Sequence, residues 1–271
     1  MRKGVVLFPQ ETLTRPDNAS QWWRRAAAEA GLTVTISTFE EFDPDASLPD
    51  FAVMRGYDEA ISTALESKGV RVFSPYTTMV RSLDKWQTYQ ALENAGIPTP
   101  HTILPSDFTE AESILGRPFV TKQRNGSRGI NVFLCDSLPS YARALDACGG
   151  NAVLQQYIKE SHGRDVRVWT IGDECVAAVL RNSDGALVSN YSQGGHAKPY
   201  PMDAELKRLA IDASKAIGLD FAGVDVLFGR DGYTVCEING NAGFRTLFRT
   251  SDTDILHIFF QYVDNELRRN S

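Results

Sequence analysis

A predicted β-hairpin over residues 224–238 constrains this chain more than any other stretch. Its two arms are rich in β-branched and aromatic residues, and the Gly-Arg-Asp-Gly sequence between them is typical of a hairpin turn. In a hairpin centred on Asp231, Asp225 lies opposite Glu237, and Asn239 points to the same face because side chains alternate along a strand. The sequence therefore predicts that three oxygen-bearing side chains converge on an antiparallel pair.

The two carboxylates of this hairpin, Asp225 and Glu237, need a compensating charge. The hairpin is otherwise mostly apolar, like charges opposite each other on a sheet repel, and a buried unpaired carboxylate is costly. A divalent cation bound to both carboxylates and to Asn239 removes both problems, and oxygen ligands suit a hard ion, Mg²⁺ or Mn²⁺, better than zinc. The alternative is that the acids face water or pair with arginines.

Length and composition limit the number of domains, the partners and the cellular location that we expect for this protein. A chain of 271 residues holds one large domain or two to three small ones, and a net charge of -6 with scattered basic residues argues against a nucleic-acid partner. The four cysteines are far apart and form no Cys-x-x-Cys pair, which is typical of reduced core residues. No apolar run has the length of a signal peptide or a membrane span, so we expect a cytoplasmic protein without a membrane partner.

Residues 1–78 predict a small parallel βαβ domain, because short apolar runs alternate there with helical patterns that end in glycine. One helix carries Trp22 and Trp23, and a second spans residues 59–67. The first strand leads into Phe-Pro-Gln rather than Gly-x-Gly-x-x-Gly, so the dinucleotide-binding fingerprint is absent. We expect this domain to frame a site rather than to bind a nucleotide.

A second domain is expected over residues 79–156, starting with a helix over residues 83–94 that Ser82 caps. Further on, a basic glycine-bearing loop over residues 124–129 joins two strands, and Lys122 ends the strand beneath it. A Walker loop runs from strand into helix instead, so we interpret this loop as a flap that closes over phosphates. The alternative is an ordinary hairpin whose lysine reaches to solvent.

A third domain is expected over residues 157–271, with an antiparallel meander ahead of the hairpin. Its predicted strands cover residues 165–171, 174–181 and 186–191. In the first of them Asp165, Arg167 and Trp169 alternate onto one face. This charged stripe either belongs to a site or is a solvated surface.

Seven short motifs, in order between residues 82 and 244, resemble the ATP-grasp fold, and their spacing resembles that of the RimK-like amino-acid ligases. They are Asp84-Lys85, Val120-Thr-Lys122, Asn125-Gly-Ser-Arg-Gly129, Gln155-Gln-Tyr-Ile158, Gly163-Arg-Asp-Val-Arg167, Gly223-Val-Asp225 and Glu237-Ile-Asn239. The fold class so implied is α/β (α+β), with a small parallel N-terminal domain followed by a two-lobed ATP-grasp fold with antiparallel sheets. Three positions depart from the family pattern: Gln156, Asn131 and Ala242.

The resemblance also implies roles, position by position. The ATP-binding residues would be Lys85, Lys122, Gly126, Ser127, Gly129, Gln156, Tyr157, Ile158, Asp165, Ser189 and Asn190. Arg181 and Lys122 would act in the reaction. Asp225, Glu237 and Asn239 would hold Mg²⁺, or Mn²⁺ in its place.

Three further residues are expected at the substrate: Arg245, Asn241 and Arg55. Arg245 follows a Gly-x-x-Gly segment, residues 240–243, that can bend the chain back over the metal site. The planar fork of arginine suits a substrate carboxylate that must not react. The alternative is a surface or phosphate-pairing arginine.

The implied activity is that of an ATP-dependent carboxylate–amine ligase. Phosphoryl transfer from ATP to a carboxylate gives an acyl phosphate, which an amine attacks to form an amide; this needs positioning and charge neutralisation rather than an enzyme nucleophile. The expected substrates are a glutamate-like amino acid and a small-molecule, peptide or carrier-protein acceptor, with ATP and Mg²⁺ as cofactors. The alternatives are a non-catalytic nucleotide-binding regulatory protein, a dipeptide ligase and a carboxylate kinase. The number of subunits is left open, with a dimer or a tetramer as candidates.

Overall fold

Three β-sheets follow one another along the chain. A computed structural model describes residues 1–15, 20–46, 48–127, 129–183, 185–187 and 196–269. The first sheet is parallel, and the second and third are antiparallel. This order confirms the predicted α/β class, in which a small parallel N-terminal unit precedes antiparallel sheets.

The N-terminal sheet has the strand order β2-β1-β3-β4 and helices on both faces. Its elements are β1 (Lys3–Phe8), α1 (Gln10–Leu13), α2 (Ser20–Glu29), β2 (Thr33–Thr38), β3 (Phe51–Met54), α3 (Glu59–Ser67) and β4 (Arg71–Phe73). Neighbouring residues of β1 point to opposite faces, so that Val6 packs in one core with Trp23 of α2 and Leu7 in another with Leu65 of α3. The predicted parallel βαβ arrangement is confirmed.

Two helices, α4 (Tyr76–Leu83) and α5 (Lys85–Asn94), follow the first sheet. The prediction that Ser82 caps the second of them is wrong. Asp84 is the N-cap, since its carboxylate accepts hydrogen bonds from the backbone N–H groups of Trp86 at 2.9 Å and Gln87 at 3.2 Å. An aspartate that accepts two helix donors is a strong cap, and Ser82 lies inside α4, where its hydroxyl donates to the Met79 carbonyl.

The second sheet has the strand order β5-β8-β6-β7. Its elements are β5 (Thr102–Ile103), α6 (Phe108–Leu115), β6 (Phe119–Gln123), β7 (Val132–Cys135), α7 (Leu138–Ala147) and β8 (Ala152–Gln156). Phe119, Tyr141 and Leu154 form part of the core between this sheet and its two helices. Lys122 lies near the end of β6, opposite Val132.

The third sheet has the strand order β11-β10-β9-β12-β13. Its strands are β9 (Arg164–Ile171), β10 (Glu174–Asn182), β11 (His196–Pro199), β12 (Phe221–Phe228) and β13 (Tyr233–Asn239). The predicted strand over residues 186–191 is wrong where it can be checked, because residues 186 and 187 are not in a strand, and residues 188–191 lie outside the described part of the chain. The strand that pairs with the outer edge of β10 is β11.

The predicted hairpin is formed by β12 and β13, and Asp225 pairs with Glu237 as expected. The turn itself differs by one residue, since Phe228 pairs with Tyr233 and the hairpin is not centred on Asp231. A β-bulge at Cys236 adds one residue to β13 and restores the register at the site end.

Three helices complete the fold: α8 (Ala204–Ile217), α9 (Arg245–Thr250) and α10 (Ile255–Arg269). α8 covers one face of the third sheet, and α10 packs between the first and third sheets. The Phe259 ring of α10 lies 6.0 Å from the Trp23 ring and 5.8 Å from the Phe221 ring, so that one core joins the two sheets. Within the described ranges, none of the helices is both long enough and apolar enough to cross a membrane.

Candidate active site

Four charged side chains meet on the face of the third sheet that α8 does not cover. Arg167 on β9 donates through Nε and Nη2 to the two carboxylate oxygens of Asp225 on β12, at 2.6 Å each. Arg181 on β10 donates through Nε to Asp165 Oδ1 at 2.7 Å and through Nη2 to Asp165 Oδ2. Arg181 Nη2 also lies 3.1 Å from Asp225 Oδ2. The four side chains form one network, and a solvated stripe is the wrong description because Asp165, Arg181 and Asp225 are buried.

This network fixes the charge state of its members. Burial by itself would raise the pKa of Asp225, but the neighbouring Arg167 and Arg181 outweigh it and lower the pKa to about 2. Burial likewise opposes the charge of Arg181, but Asp165 and Asp225 outweigh it and raise the pKa of this arginine. The carboxylate of Asp225 is therefore ionised at neutral pH, and in this structure it pairs with arginines.

The oxygen set expected for a metal lies beside this network. Glu237 is opposite Asp225 across the hairpin, and Asn239 Nδ2 lies 3.4 Å from Asp225 Oδ2. The two ends of an amide are assigned by their contacts, so rotation of the Asn239 amide would present its oxygen at the same place. Among the described residues no group of three or more His, Cys, Asp or Glu side chains could hold a metal, so this site depends on the amide as third donor. Two carboxylates and an amide oxygen fit Mg²⁺.

Two lysines approach the same carboxylates from the second sheet and from α5. Lys122 Nζ donates to Gln155 Oε1 at 2.6 Å and to Cys236 Sγ at 3.1 Å. Lys85 Nζ lies 3.4 Å from Glu237 Oε1. Because the Lys122 ammonium contacts both the second and the third sheet, the alternative of a lysine that reaches to bulk solvent is wrong.

The environment of Lys122 keeps it charged. Burial would lower its pKa, but Cys236, Glu237 and Asp225 outweigh this and raise the pKa of Lys122. Burial raises the pKa of the Cys236 thiol despite the nearby ammonium. The pair is therefore an ammonium and a thiol at neutral pH.

The predicted flap, residues 124–129, is tied to α5 at its start. Arg124 donates through Nε and Nη2 to the two oxygens of Asp84, at 2.8 and 2.7 Å, so this arginine is engaged with the cap of α5. Gly126 O accepts a hydrogen bond from Lys85 Nζ. Ser127 is exposed and Gly129 has a φ of 69°, while residue 128 lies outside the described ranges.

Asn131, one of the three departures from the family pattern, adopts the backbone that a glycine would. Its φ is 54°, in the left-handed region that asparagine tolerates better than most residues. Its side chain donates to Gln123 Oε1 at 2.7 Å and to the Ala147 carbonyl at 3.2 Å. The local contacts therefore explain how asparagine replaces glycine here.

The residues expected at the nucleotide base follow β8. The Gln156 side chain is exposed, and its backbone N–H donates to the His101 carbonyl at 2.8 Å. Tyr157 contacts His162 through its hydroxyl at 2.7 Å, and Ile158 precedes a 3-10 turn, Lys159–Ser161. An exposed side chain at position 156 is consistent with a hinge that acts through its backbone.

The segment after Asn239 is held by residues expected at the substrate. Arg55 Nη2 donates to the Ala242 carbonyl at 2.9 Å, and Asn241 Nδ2 donates to the Arg55 carbonyl at 3.3 Å. The Arg55 guanidinium carbon lies 5.3 Å from the ring centres of Trp23 and Phe221. Burial lowers the pKa of Arg55 to about 10. In this structure Arg55 and Asn241 thus position residues 240–244.

Close packing of this segment requires a glycine in β12. A Cβ atom added to Gly223 would lie 2.7 Å from the Ala242 Cβ, so only glycine lets the segment rest on the sheet. Arg245 is exposed at the first position of α9. Ser189 and Asn190, both expected at ATP, lie outside the described residues.

Sequence reasoning missed three contacts that shape the site. Two of them are bidentate ion pairs, called forks below, in which two guanidinium nitrogens donate to the two oxygens of one carboxylate: the fork between Arg167 and Asp225 and the fork between Arg124 and Asp84. The third is the contact of Lys122 with Cys236. The alternation of Asp165, Arg167 and Trp169 and the pairing of their strand with β10 were visible in the sequence, but the pairing of β9 with β12 was not. Strand alternation places Cys236 on the face opposite Glu237, and the bulge at Cys236 interrupts that alternation, so the contact of its thiol with Lys122 had no signal in the sequence.

Known proteins share both the sequence pattern and the fold. Residues 82–263 match the RimK-like ATP-grasp domain. The chain is 32% identical over 230 residues to a probable alpha-L-glutamate ligase of Haemophilus influenzae, across 82% of this chain and 76% of that protein. It is 34% identical over 247 residues to human N-acetylaspartylglutamate synthase A, across 86% of this chain and 63% of that protein.

Two solved structures have the same fold. The ATP-grasp ligase PsnB, in complex with a phosphomimetic variant of its minimal precursor, Mg and ADP, has a TM-score of 0.74 and 17% identity over 98% of this chain and 99% of its own. D-alanine–D-alanine ligase from Bacillus anthracis has a TM-score of 0.72 and 18% identity, with all of both chains covered. The predicted ATP-grasp fold is confirmed, and this chain belongs to the RimK-like ATP-grasp family.

Proposed function

We propose that this chain uses ATP to join a glutamate-like amino acid, through an amide bond, to a small-molecule, peptide or carrier-protein acceptor. As a RimK-like ATP-grasp protein it is an ATP-dependent ligase that forms amide bonds. Glutamate is favoured because one relative is named as a glutamate ligase and another as a synthase of N-acetylaspartylglutamate. A peptide acceptor stays open because PsnB was solved with a precursor peptide.

The observation that carries this proposal is a local excess of cationic side chains. Four cations surround three carboxylates. Lys85, Arg167 and Arg181 form ion pairs with Asp165, Asp225 and Glu237. Lys122 lies close enough to Glu237 and Asp225 for their charges to raise its pKa. The whole chain has a net charge of -6, so this excess belongs to the site and not to the surface in general. A polyphosphate would neutralise it.

Asp225, Glu237 and Asn239 would hold Mg²⁺, or Mn²⁺ by the same oxygen chemistry. When bound, such an ion supplies positive charge to the phosphates of the nucleotide. Lys85 and Lys122 would bind phosphate oxygens.

The rest of the nucleotide site is proposed from its position around these groups. Gly126, Ser127 and Gly129 would close over the phosphates, and residues 156–158 would face the base. Asp165 would lie near the nucleotide through its fork with Arg181. Ser189 and Asn190, which lie outside the described residues, would act near the phosphates or the reacting carboxylate.

The reaction proceeds without an enzyme nucleophile. A substrate carboxylate oxygen attacks the γ-phosphorus and ADP leaves; the amine then attacks the acyl carbon, loses a proton, and phosphate leaves. Negative charge increases on the phosphoryl and carbonyl oxygens during these steps, and Arg181 and Lys122 would stabilise it. The fork between Asp165 and Arg181 holds that arginine in one orientation, so little reorganisation is needed.

The substrate would bind between the N-terminal unit and the third sheet. Arg55 and Asn241 shape this region through residues 240–244, and Arg245 would bind a substrate carboxylate. We propose that the chain is divided into an N-terminal unit over residues 1–78, a central lobe over residues 79–156 and a C-terminal lobe over residues 157–271.

The test of Arg245 is its replacement by lysine, which keeps the charge but loses the planar fork. We expect Arg245→Lys to raise the KM for the amino-acid substrate about tenfold, or about 1.4 kcal/mol, while the KM for ATP stays the same. Arg249→Lys, one turn further on α9, is the matched control. A fall in ATP affinity with no change for the amino acid would assign Arg245 to the nucleotide instead.

The proposed function is tested by ADP release with a panel of amino acids, each with and without an amine acceptor. Release that requires both a carboxylate and an amine supports the ligase. Release without the amine indicates a carboxylate kinase, and no release with any pair indicates a non-catalytic nucleotide-binding protein.

A further inference from the structure

Four N–H groups surround the Asp225 carboxylate. Oδ1 accepts from Arg167 Nε at 2.6 Å. Oδ2 accepts from Arg167 Nη2 at 2.6 Å, and Arg181 Nη2 at 3.1 Å and Asn239 Nδ2 at 3.4 Å approach it as well. A carboxylate has about four lone-pair sites. Rotation of the Asn239 amide, which turns its oxygen towards the metal, removes one of these four donors, but a cation bound there would still lie beside two guanidinium groups on the same carboxylate. The two arginines therefore oppose cation binding until one of them moves.

The two arginines differ in how firmly they are held. Arg181 has a second fork with Asp165, and only 6% of its side chain is exposed. Arg167 has 18% of its side chain exposed, and within the described ranges Asp225 is its only carboxylate partner. Moving Arg181 would break two buried ion pairs, whereas moving Arg167 breaks one that is closer to solvent. Arg167 is therefore the side chain that can leave.

We propose that Arg167 holds the place of the divalent cation when no nucleotide is bound, and that it turns from Asp225 towards the phosphates when metal and nucleotide enter. The inference rests on the proposed function, in which Asp225 is a metal ligand. Arg167 is then a positioning residue that couples the two ligands.

Charge explains the coupling. A divalent cation that binds alone must approach Asp225 beside Arg167 and Arg181, and like charges at such short distances repel strongly in a partly buried site. A bound polyphosphate reverses this, because it attracts both the cation and the displaced guanidinium. Metal should thus bind weakly by itself and tightly with nucleotide, and by linkage the metal strengthens nucleotide binding by the same factor.

The test measures Mn²⁺ binding to the nucleotide-free protein, by the electron paramagnetic resonance signal of free Mn²⁺, for the wild type and three variants. Arg167→Met is expected to bind Mn²⁺ at least about tenfold more tightly than the wild type, since a charge-assisted fork no longer competes. Arg167→Lys is expected to bind more tightly as well, by a smaller factor, because it keeps the charge but loses the fork. Arg164→Met is the matched control. Arg164 is exposed on the same strand and lies over the Phe228 ring, so its replacement should leave the Mn²⁺ affinity unchanged.

A second measurement repeats the titration with a non-hydrolysable ATP analogue. The analogue should raise the Mn²⁺ affinity of the wild type by a larger factor than that of Arg167→Met, because the variant has no placeholder to displace. Circular dichroism and thermal midpoints establish that each variant is folded, and Arg167→Lys retains the test if Arg167→Met does not fold.

The outcomes separate this inference from the proposed function. Equal Mn²⁺ affinity in the wild type, Arg167→Met and Arg167→Lys would overturn the placeholder role while leaving the metal site in place. Tighter binding in Arg167→Met alone would still support the placeholder role, because repulsion by the Arg167 charge is the cause of the coupling, and it would show that the two-bond geometry adds nothing. If no protein binds Mn²⁺ with or without the analogue, the metal assignment itself fails and takes the placeholder with it.

Discussion

Replacing Glu237 with glutamine is expected to lower kcat for amide formation at least about a thousandfold, or roughly 4 kcal/mol, without loss of folding stability. The change removes one negative charge from the proposed metal site but keeps the size of the side chain. Glu237 is 26% exposed, and its ion pair with Lys85 is long, at 3.4 Å. The measurements are ADP release with the best amino-acid pair and the free energy of unfolding in urea.

Asp225→Asn is the informative comparison. It should lose turnover to a similar degree, but it should also destabilise the fold by about 3 kcal/mol or more, because it removes the shared partner of two arginines in a buried site. Arg167 loses both of its bonds to a carboxylate, and Arg181 keeps only Asp165. Full turnover in Glu237→Gln would refute the metal site. Equal unfolding free energies for the two variants would refute the structural role of Asp225.

The stability of the fold in acid depends on the pKa of Asp225. Because that pKa is lowered to about 2 in the folded protein, the ion pairs of Asp225 contribute stability that is present above the ordinary aspartate value of 3.8 and is lost as the pH falls through about 2. Asp225→Asn should therefore remove part of the acid dependence of unfolding, whereas Glu237→Gln should leave this part in place.

The hairpin shows what local sequence can predict. Its arms and turn residues were sufficient to predict that Asp225 and Glu237 are paired across two strands. The turn prediction was wrong by one residue, and the bulge at Cys236 corrected it, so the pairing was right although the centre was not. A bulge follows from how a strand fits its neighbours, and the hairpin sequence alone does not specify it.

Contacts between distant elements could not be predicted in the same way. The fork between Arg167 and Asp225 exists because β12 lies beside β9, a neighbour relation set by the topology of the whole sheet. Arg55 was expected at the substrate, but whether it would reach a ligand or the chain itself depends on where residues 240–244 pack. The order of the seven motifs along the chain was informative because it reflects many such contacts at once, and this order predicted the family correctly.

Lys122→Met is expected to weaken ATP binding about a hundredfold, or about 2.7 kcal/mol, because a desolvated contact between an ammonium and a phosphate is charge-assisted. Methionine fills most of the same space, so the loss reflects charge rather than a cavity. The environment raises the pKa of Lys122 above its ordinary value of 10.5, so its charge is complete throughout the neutral range. The ratio of wild-type to variant affinity should therefore stay constant between about pH 6 and about pH 9.

The matched control is Lys207→Met, which removes an exposed lysine from α8, on the far side of the third sheet from the site. It changes the net charge of the protein by the same amount and should leave ATP affinity unaltered, which separates a direct contact from a general electrostatic effect. Calorimetric titration with a non-hydrolysable ATP analogue and Mg²⁺ measures both variants. If Lys122→Met binds the analogue as tightly as Lys207→Met, the Lys122 ammonium serves only its contacts with Gln155 and Cys236. In that case the phosphates must bind elsewhere, first at Lys85.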